Sequence, residues 1–509
     1  MTTRTKRLPE SSTLLHSRPL PRPAAQLNPL VVTLLPAAVM LLLGLWRLDR
    51  GMWWDETTTY EASTRSLSDL WQLLHTVDAV HGLYYLLMHT FLPRGEGDAI
   101  LLRLPSVIGM TFAVAGTAVI GRRLAGPAVG LLAGLVLAVS PLASQYAQEG
   151  RSYALVTAAV VLACLLFLRA LDKPSPARWA GYAAALLLAT ALHLFAVLVL
   201  LAHGVTLLAI RSPWRITRRW LAAALAVCAG VLPYAMYARR QTERMITLPP
   251  PTRKGISEFA VEFTGPGHLA SALVSVLVII GLLRGPAMMR AFALPWLVLP
   301  SAVLLTYSLV QPAFHLRYVL HSLPAMALLA AVGLNAVARA AAAMLTWRRS
   351  GAHRGRVAAV CGFALIIGLL AVELPAHRAE RTAASRNDDQ TAAARLIGAH
   401  AQRGDALVFI PGVKRGVEYV YQRDFSQVTD VLQIETPMAS GSLGGVDAAA
   451  GDIPRLLAGH DRIWVIDRSM LTPDGSTAGK IKAQVLRDDY RVSWTRTVTG
   501  LRVTLYVRK

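Results

Sequence analysis

Long apolar stretches alternate with short basic connectors from residue 28 to about residue 375. Most of these stretches are about 17 to 22 residues long and rich in Leu, Ala, Val and Gly, close to the ~20 residues that carry a helix across ~30 Å of hydrocarbon. A helix satisfies its own backbone in lipid without a neighbour. The pattern predicts about eleven transmembrane helices, near 28–47, 100–120, 128–145, 153–170, 179–192, 194–210, 220–238, 268–284, 291–309, 319–338 and 357–374. One apolar stretch is too short to span: HGLYYLLMHTFLP, from His81 to Pro93, covers about 13 residues and suits an interfacial or re-entrant helix. Residues 48–99 are therefore expected to form one large external loop. Beyond Pro375 the pattern changes. QTAAARLIGAHAQRGDALVFI reads as an amphipathic helix, a turn at Arg403, Gly404 and Asp405, and a buried strand. Arg462 to Asp467 and Leu501 to Arg508 read as further strands, and Ala439 to Gly445 as a flexible connection. The expected fold is mostly α: a basic tail (1–27), a polytopic transmembrane domain (28–375) and a small C-terminal extracytoplasmic α/β domain (376–509).

Basic residues orient the chain, because short cytoplasmic loops hold an excess of Lys and Arg. Such connectors occur at Arg122 and Arg123, at Arg169, Lys173 and Arg178, at Arg211, Arg215, Arg218 and Arg219, at Arg284 and Arg290, and at Arg348, Arg349, Arg354 and Arg356. With the N-terminus inside, an odd helix count leaves the C-terminal domain, Asp55 and Glu56 outside. The acidic residues give an independent check. Of the 15 from Met1 to Glu373, only Glu10 and Asp172 fall on the cytoplasmic side.

Composition agrees with a membrane protein: 54% hydrophobic and 16% charged residues in a chain of 509. Residues 374–509 hold 19 Lys and Arg against 15 Asp and Glu, so most of the +22 net charge lies on the membrane part. That bias suits anionic lipid headgroups, and its dispersal over loops leaves no nucleic-acid footprint. Cys164, Cys228 and Cys361 lie in apolar runs and read as packing residues. The first 27 residues are polar and basic (Arg4, Lys6, Arg7, Arg18, Arg22), and the run after them lacks the exit of a cleaved signal.

Three external constellations offer chemistry. In WWDETTTYEAS, Asp55 and Glu56 follow Trp53 and Trp54. They are either solvated acids beside an aromatic belt or a general base for an acceptor hydroxyl. In SQYAQEGRSYAL, Glu149 and Arg151 are either an interfacial ion pair or a second acid facing Asp55 together with a forked phosphate donor. In QPAFHLRYVLHSLP, Arg317 either snorkels to headgroups or stabilises a leaving lipid phosphate. Trp54, His81, Tyr84, Tyr153, His193 and Tyr318 are candidates to line the same cavity, with simple packing as the other reading of His193. The basic loop from Arg239 to Gly267 could cradle a phosphate, cover the cavity or touch headgroups.

The order of a long helix, WWDE, the YYLLMH helix, LRLPSV (Leu102 to Val107), GRRLAG (Gly121 to Gly126), SQYAQEGRSYAL and RYVLHSLPAMALL (Arg317 to Leu329) resembles membrane glycosyltransferases of the GT-C fold. The nearest branch is that of protein mannosyltransferases, the lipid A aminoarabinose transferase and actinobacterial mannosyltransferase-like proteins. The resemblance covers roughly residues 28–375. It implies inverting transfer of a sugar, mannose or a pentose, from a polyprenyl phosphate to an acceptor glycan, glycolipid or protein on the outer face of a bacterial cytoplasmic membrane. It makes Asp55 the catalytic base with Glu56 beside it and needs no cofactor; some relatives in the wider fold bind a divalent cation through acids at these loops, but the second loop here lacks a DxD, which argues against one. Where members carry Pro-Pro-Leu-Tyr this chain has His81, Gly82, Leu83 and Tyr84, which leaves the acceptor open. A transporter or lipid-linked-sugar flippase is the rival reading, but the acids cluster at one face and no second half repeats the first. A nonenzymatic assembly or receptor protein would leave the acid pair idle.

Overall fold

A computed structural model describes residues 27–241, 248–347, 351–468 and 476–509. The expected basic tail, Glu10, Glu243, Arg244, Arg348 and Arg349 lie outside the described residues. The chain runs through α1 (Pro29–Leu45), α2 (Trp54–Thr64), α3 (Leu67–Thr76), α4 (Gly82–His89), α5 (Ala99–Ala125), α6 (Pro127–Val139), α7 (Pro141–Ala147), α8 (Tyr153–Asp172), α9 (Pro176–Leu192) and α10 (Val199–Ala209). It continues with α11 (Trp214–Gln241), α12 (Arg253–Thr264), α13 (His268–Arg284), α14 (Ala287–Ser308), α15 (Leu323–Leu345) and α16 (Gly351–Ala379).

All eleven expected runs are helical. Among the described residues, six helical segments are long and apolar enough to cross a membrane, and eight if each of two bent pairs counts as one span. Pro29–Leu45 and Pro176–Leu192 have 17 residues each and Leu194–Ala209 is shorter still; these three are where the expectation of about eleven spans and the length needed for a crossing part. The run expected at 128–145 breaks instead at Ser140, where α6 and α7 meet at 65°. Pro141 at the first position of α7 sets that break. His81–Pro93 contains a 3₁₀ turn at Ala79–His81 and the eight-residue α4, short as its length required.

The two ends of the bundle differ in charge. At the last turn of α5, Arg123 donates to Leu168 O at 2.7 Å and pairs with Asp172. Arg219 donates to Pro174 O at 3.1 Å at that same end. Arg103, in the second turn of α5, lies about 30 Å along the helix from Arg123, and Asp55 and Glu56 lie at that opposite end.

Beyond α16 the chain forms α17 (Gln390–His400), β1 (Asp405–Ile410), α18 (Gly416–Val420), β2 (Val428–Asp430), β3 (Gln433–Glu435), α19 (Pro437–Ser440), β4 (Val446–Asp447), α20 (Ile453–Leu457), β5 (Arg462–Arg468), α21 (Thr477–Asp489), β6 (Tyr490–Val498) and β7 (Leu501–Arg508). The main sheet has the order β2-β1-β5-β7-β6. Strand β1 runs parallel to β2 and β5, with Ala406 opposite Ile463, and β7 is antiparallel to β5 and β6. The connection expected at Ala439 to Gly445 begins inside the short α19. Strand β6, polar on its exposed positions apart from Val492, gave no apolar run to read.

Candidate active site

Asp55 and Glu56 occupy the first turn of α2, where the unpaired N–H groups of the helix favour carboxylates. Although α2 reads WDETTTYEAST, residues 56–63 are all buried. A polar helix inside a protein must find partners, and each acid finds a different one. Asp55 Oδ2 accepts from Arg317 Nη1 at 2.8 Å, with side chains 12% and 18% exposed. Glu56 is fully enclosed. Arg103 grips it as a fork, Nε to Oε1 at 2.7 Å and Nη2 to Oε2 at 2.6 Å, and Gly150 N–H adds a third bond at 2.9 Å. These three bonds hold the Glu56 carboxyl below its usual range despite burial. Arg103 spends its other protons on the carbonyls of Leu48, Arg50 and Gly51, so it ties α5 to the turn before Asp55.

Glu149 does not pair with Arg151. Its Oε2 accepts from Arg386 Nη1 at 2.9 Å, while Oε1 has no partner among the described residues. Burial raises the Glu149 carboxyl against the pull of Arg386. Arg151 instead points into the site. Its Nη2 lies 2.6 Å from His81 Nε2 and its Nη1 donates to Thr59 Oγ1 at 3.1 Å. Burial and the Arg151 charge push His81 well below the ordinary histidine range. His81 is therefore a neutral acceptor at Nε2, and its 3.9 Å approach to Asp78 is not an ion pair.

The aromatic candidates gather around Arg317, whose guanidinium lies 5.4 Å from the Tyr153 ring and 5.7 Å from the Tyr318 ring. His193 stands 4.7 Å from Tyr318 and 5.5 Å from Tyr153, centroid to centroid. Tyr84 is fully buried, one turn along α4 from His81. Trp54 goes elsewhere: its indole lies under Lys414 Nζ at 4.4 Å and its backbone N–H donates to Asp388 Oδ1 at 2.8 Å. Tyr153 Oη, His193 Nδ1, His81 Nδ1, Arg151 Nε and Arg317 Nε are enclosed with no hydrogen-bond partner among the described residues. Such a collection is costly in an empty protein and fits a ligand rich in hydroxyl or phosphate oxygens. Among the described residues no group of three or more His, Cys, Asp or Glu is arranged around a metal ion. Cys164, Cys228 and Cys361 are free thiols.

Sequence reasoning missed Arg103, Arg386, Asp388 and Lys414. Arg103 carried a signal, since a lone arginine near the start of an apolar helix needs a buried partner. Arg386 lies 237 residues from Glu149 and Asp388 lies 334 residues from Trp54, which Lys414 also covers, and none of the three carried a signal.

The chain resembles known proteins in two ways. Residues 83–237 match the family model of dolichyl-phosphate-mannose-protein mannosyltransferases, a stretch that includes Glu149, Arg151 and His193 and begins after Asp55. No curated protein matches the sequence. The fold matches the crystal structure of ArnT from Cupriavidus metallidurans bound to undecaprenyl phosphate at TM-score 0.57 and 13% identity, covering 93% of this chain and 97% of that one. The apo structure of the same protein matches equally, at TM-score 0.57, 14% identity and the same coverages. The chain thus has the fold of ArnT across nearly its whole length, and residues 83–237 within it resemble the dolichyl-phosphate-mannose-protein mannosyltransferases in sequence.

Proposed function

We propose that this protein is a multi-pass membrane glycosyltransferase that moves a sugar, mannose or a pentose, from a polyprenyl phosphate to an acceptor hydroxyl on the outer face of the cytoplasmic membrane. The observation that carries the reading is the 2.8 Å pair of Asp55 and Arg317, set among Arg151, His81, Tyr153, His193 and Tyr318. A base and a phosphate-sized cation stand side by side, which is what displacement at an anomeric carbon requires. The likeness to a structure that holds undecaprenyl phosphate supports a lipid-phosphate donor.

In this reading the acceptor oxygen attacks the anomeric carbon as its proton passes to Asp55, and the bond from that carbon to the phosphate oxygen breaks. The electron pair leaves with the lipid phosphate, and one displacement inverts the anomeric centre. Arg317 and Arg151 neutralise the charge that grows on the departing phosphate. Neutral His81 and the hydroxyl of Tyr153 present directional partners to sugar hydroxyls, while the rings of Tyr153 and Tyr318 offer flat faces. Glu56 positions: saturated by Arg103 and Gly150, it fixes the turn that presents Asp55. Glu149 holds Arg386 behind the site.

Asp55→Asn tests the reading, because it keeps the shape and removes the base. Purified protein in vesicles is given radiolabelled polyprenyl-phosphate-mannose or polyprenyl-phosphate-arabinose with membrane acceptor. Loss of about 100-fold or more in kcat is expected of a general base. Near-normal transfer by the variant would sink the assignment, and movement of labelled lipid across the bilayer without transfer would favour a flippase.

A further inference from the structure

The turn that carries Asp55 is built from both parts of the chain. Trp53 caps α2 without a side-chain bond, so the first N–H groups of the helix need acceptors from elsewhere. Asp388 supplies one: its Oδ1 accepts from Trp54 N at 2.8 Å. The same carboxylate takes Lys414 Nζ on Oδ2 at 2.8 Å, both side chains nearly enclosed, and Lys414 covers the Trp54 indole at 4.4 Å. Neighbouring residues extend the seam. Met52 N donates to Thr391 Oγ1 at 2.8 Å, Gln390 N donates to Met52 O at 2.9 Å, and Arg50 Nη1 reaches Ser385 Oγ at 3.1 Å. A Cβ on Gly51 would lie 2.4 Å from Asp389 Oδ1, so a larger residue there would push that carboxylate off its cap on Ala392 N.

The far side of this seam is rigid. Arg415, next to Lys414, is buried with Nε on Asp430 and Nη2 on Asp447, each at 2.5 Å, and Lys482 from α21 closes the cluster on Asp447 at 2.5 Å. At the other end of α2, Arg65 pairs with Glu61 and donates to Pro437 O at 3.3 Å and Ser442 O at 2.7 Å. The C-terminal domain therefore holds α2 at both ends.

We infer that the C-terminal sheet domain positions the reacting carboxylate, with Asp388 as the positioning residue that acts through Trp54 on Asp55 and Lys414 as its brace. This inference rests on Asp55 being the base. A cluster in the sheet core is mechanically connected to the carboxylate through Arg415, Lys414, Asp388 and Trp54, so the domain is part of the site.

The test uses the full chain carrying Asp388→Ala, Asp388→Asn or Lys414→Met, with Asp55→Asn alongside. Initial rates with labelled polyprenyl-phosphate-mannose and polyprenyl-phosphate-arabinose give kcat and the donor KM, and hydrogen exchange reads the amides of residues 51–57 and of α5. Asp388→Ala should lower kcat by about 10- to 100-fold, as small misplacements of reacting groups do, with the donor KM within about threefold of the parent. Asp388→Asn keeps an oxygen for Trp54 N–H and should recover at least about fivefold of that loss. Exchange should rise across residues 51–57 while α5 stays protected. Parental kcat in Asp388→Ala beside an inactive Asp55→Asn would overturn the inference and leave the base intact. Loss of protection throughout α5 with no rescue by asparagine would also overturn it, as a merely structural role. An active Asp55→Asn would instead overturn the base, and exchange at residues 51–57 would then report the grip alone.

Discussion

Glu56 and Arg103 are both fully enclosed and hold each other through two bonds shorter than 2.8 Å, so neither is free to meet a substrate. Removing one partner strands the other as a buried charge, which costs about 3–5 kcal/mol. Glu56→Ala is therefore expected to lower the thermal midpoint of the purified protein sharply, and a parental midpoint would refute the clamp. A second residue makes a prediction about pH. Glu418 lies in the C-terminal domain with Oε2 unpartnered among the described residues, and burial, then the Asp430 charge, pushes its carboxyl up to about 7. A carboxyl raised on folding adds stability that is full below its unfolded range near 4.3 and is lost as pH rises through about 7. Glu418→Gln should flatten the fall in stability between roughly pH 4.5 and 7, read by thermal unfolding across that window. An unchanged slope would show that other groups set it. At this scale the sequence displayed Asp55, Arg151 and Arg317 as charges out of place beside lipid. It did not display their pairing: Glu149 stood two residues from Arg151 and took Arg386 instead.

Helix α2 is the element least like its sequence pattern, being polar along its length and buried over residues 56–63. Periodicity had no apolar stripe to detect there, because Arg65, Arg103, Arg151 and Tyr60 are met by hydrogen bonds and not by a greasy face. The long helices behave oppositely: their positions follow from apolar length, although several ends run five to seven residues past the apolar run, as at Trp214, Leu345 and Gly351. What length did not convey is how closely they approach. Helices α13 and α15 cross on paired glycines. A Cβ on Gly281 would lie 2.0 Å from Leu329 O, and one on Gly333 would lie 2.0 Å from Leu277 O. Small residues are what let membrane helices touch through their backbones. Gly281→Val or Gly333→Val should force the pair apart and lose roughly 1–3 kcal/mol or more. Gly368→Ala, in open space on α16, should not lower the midpoint, since alanine is the better helix former. Equal midpoints for all three variants would disprove the close crossing.

For the molecule as a whole, the expectation is that a chain ending at Ala379 inserts but does not transfer sugar, because Trp54 N–H and Met52 then lose Asp388, Gln390 and Thr391. Supplying the missing domain as a separate chain and recovering transfer would show that covalent connection is dispensable. Full activity of the truncated chain would overturn the joint site. The amino-acid sequence by itself determined the mostly helical membrane class, the helix positions, the short helix after His81 and the sheet domain. It also isolated the charged residues at one end of the bundle. Those properties are local: they depend on the length of apolar runs, on alternation over a few residues and on the cost of a charge beside lipid. Tertiary structure alone decided which charge meets which. Partners such as Asp55 and Arg317, Glu149 and Arg386, or Trp54 and Asp388 are separated by 262, 237 and 334 residues, and pairing at that range is set by the packing of helices and domain, which no spacing in the chain encodes.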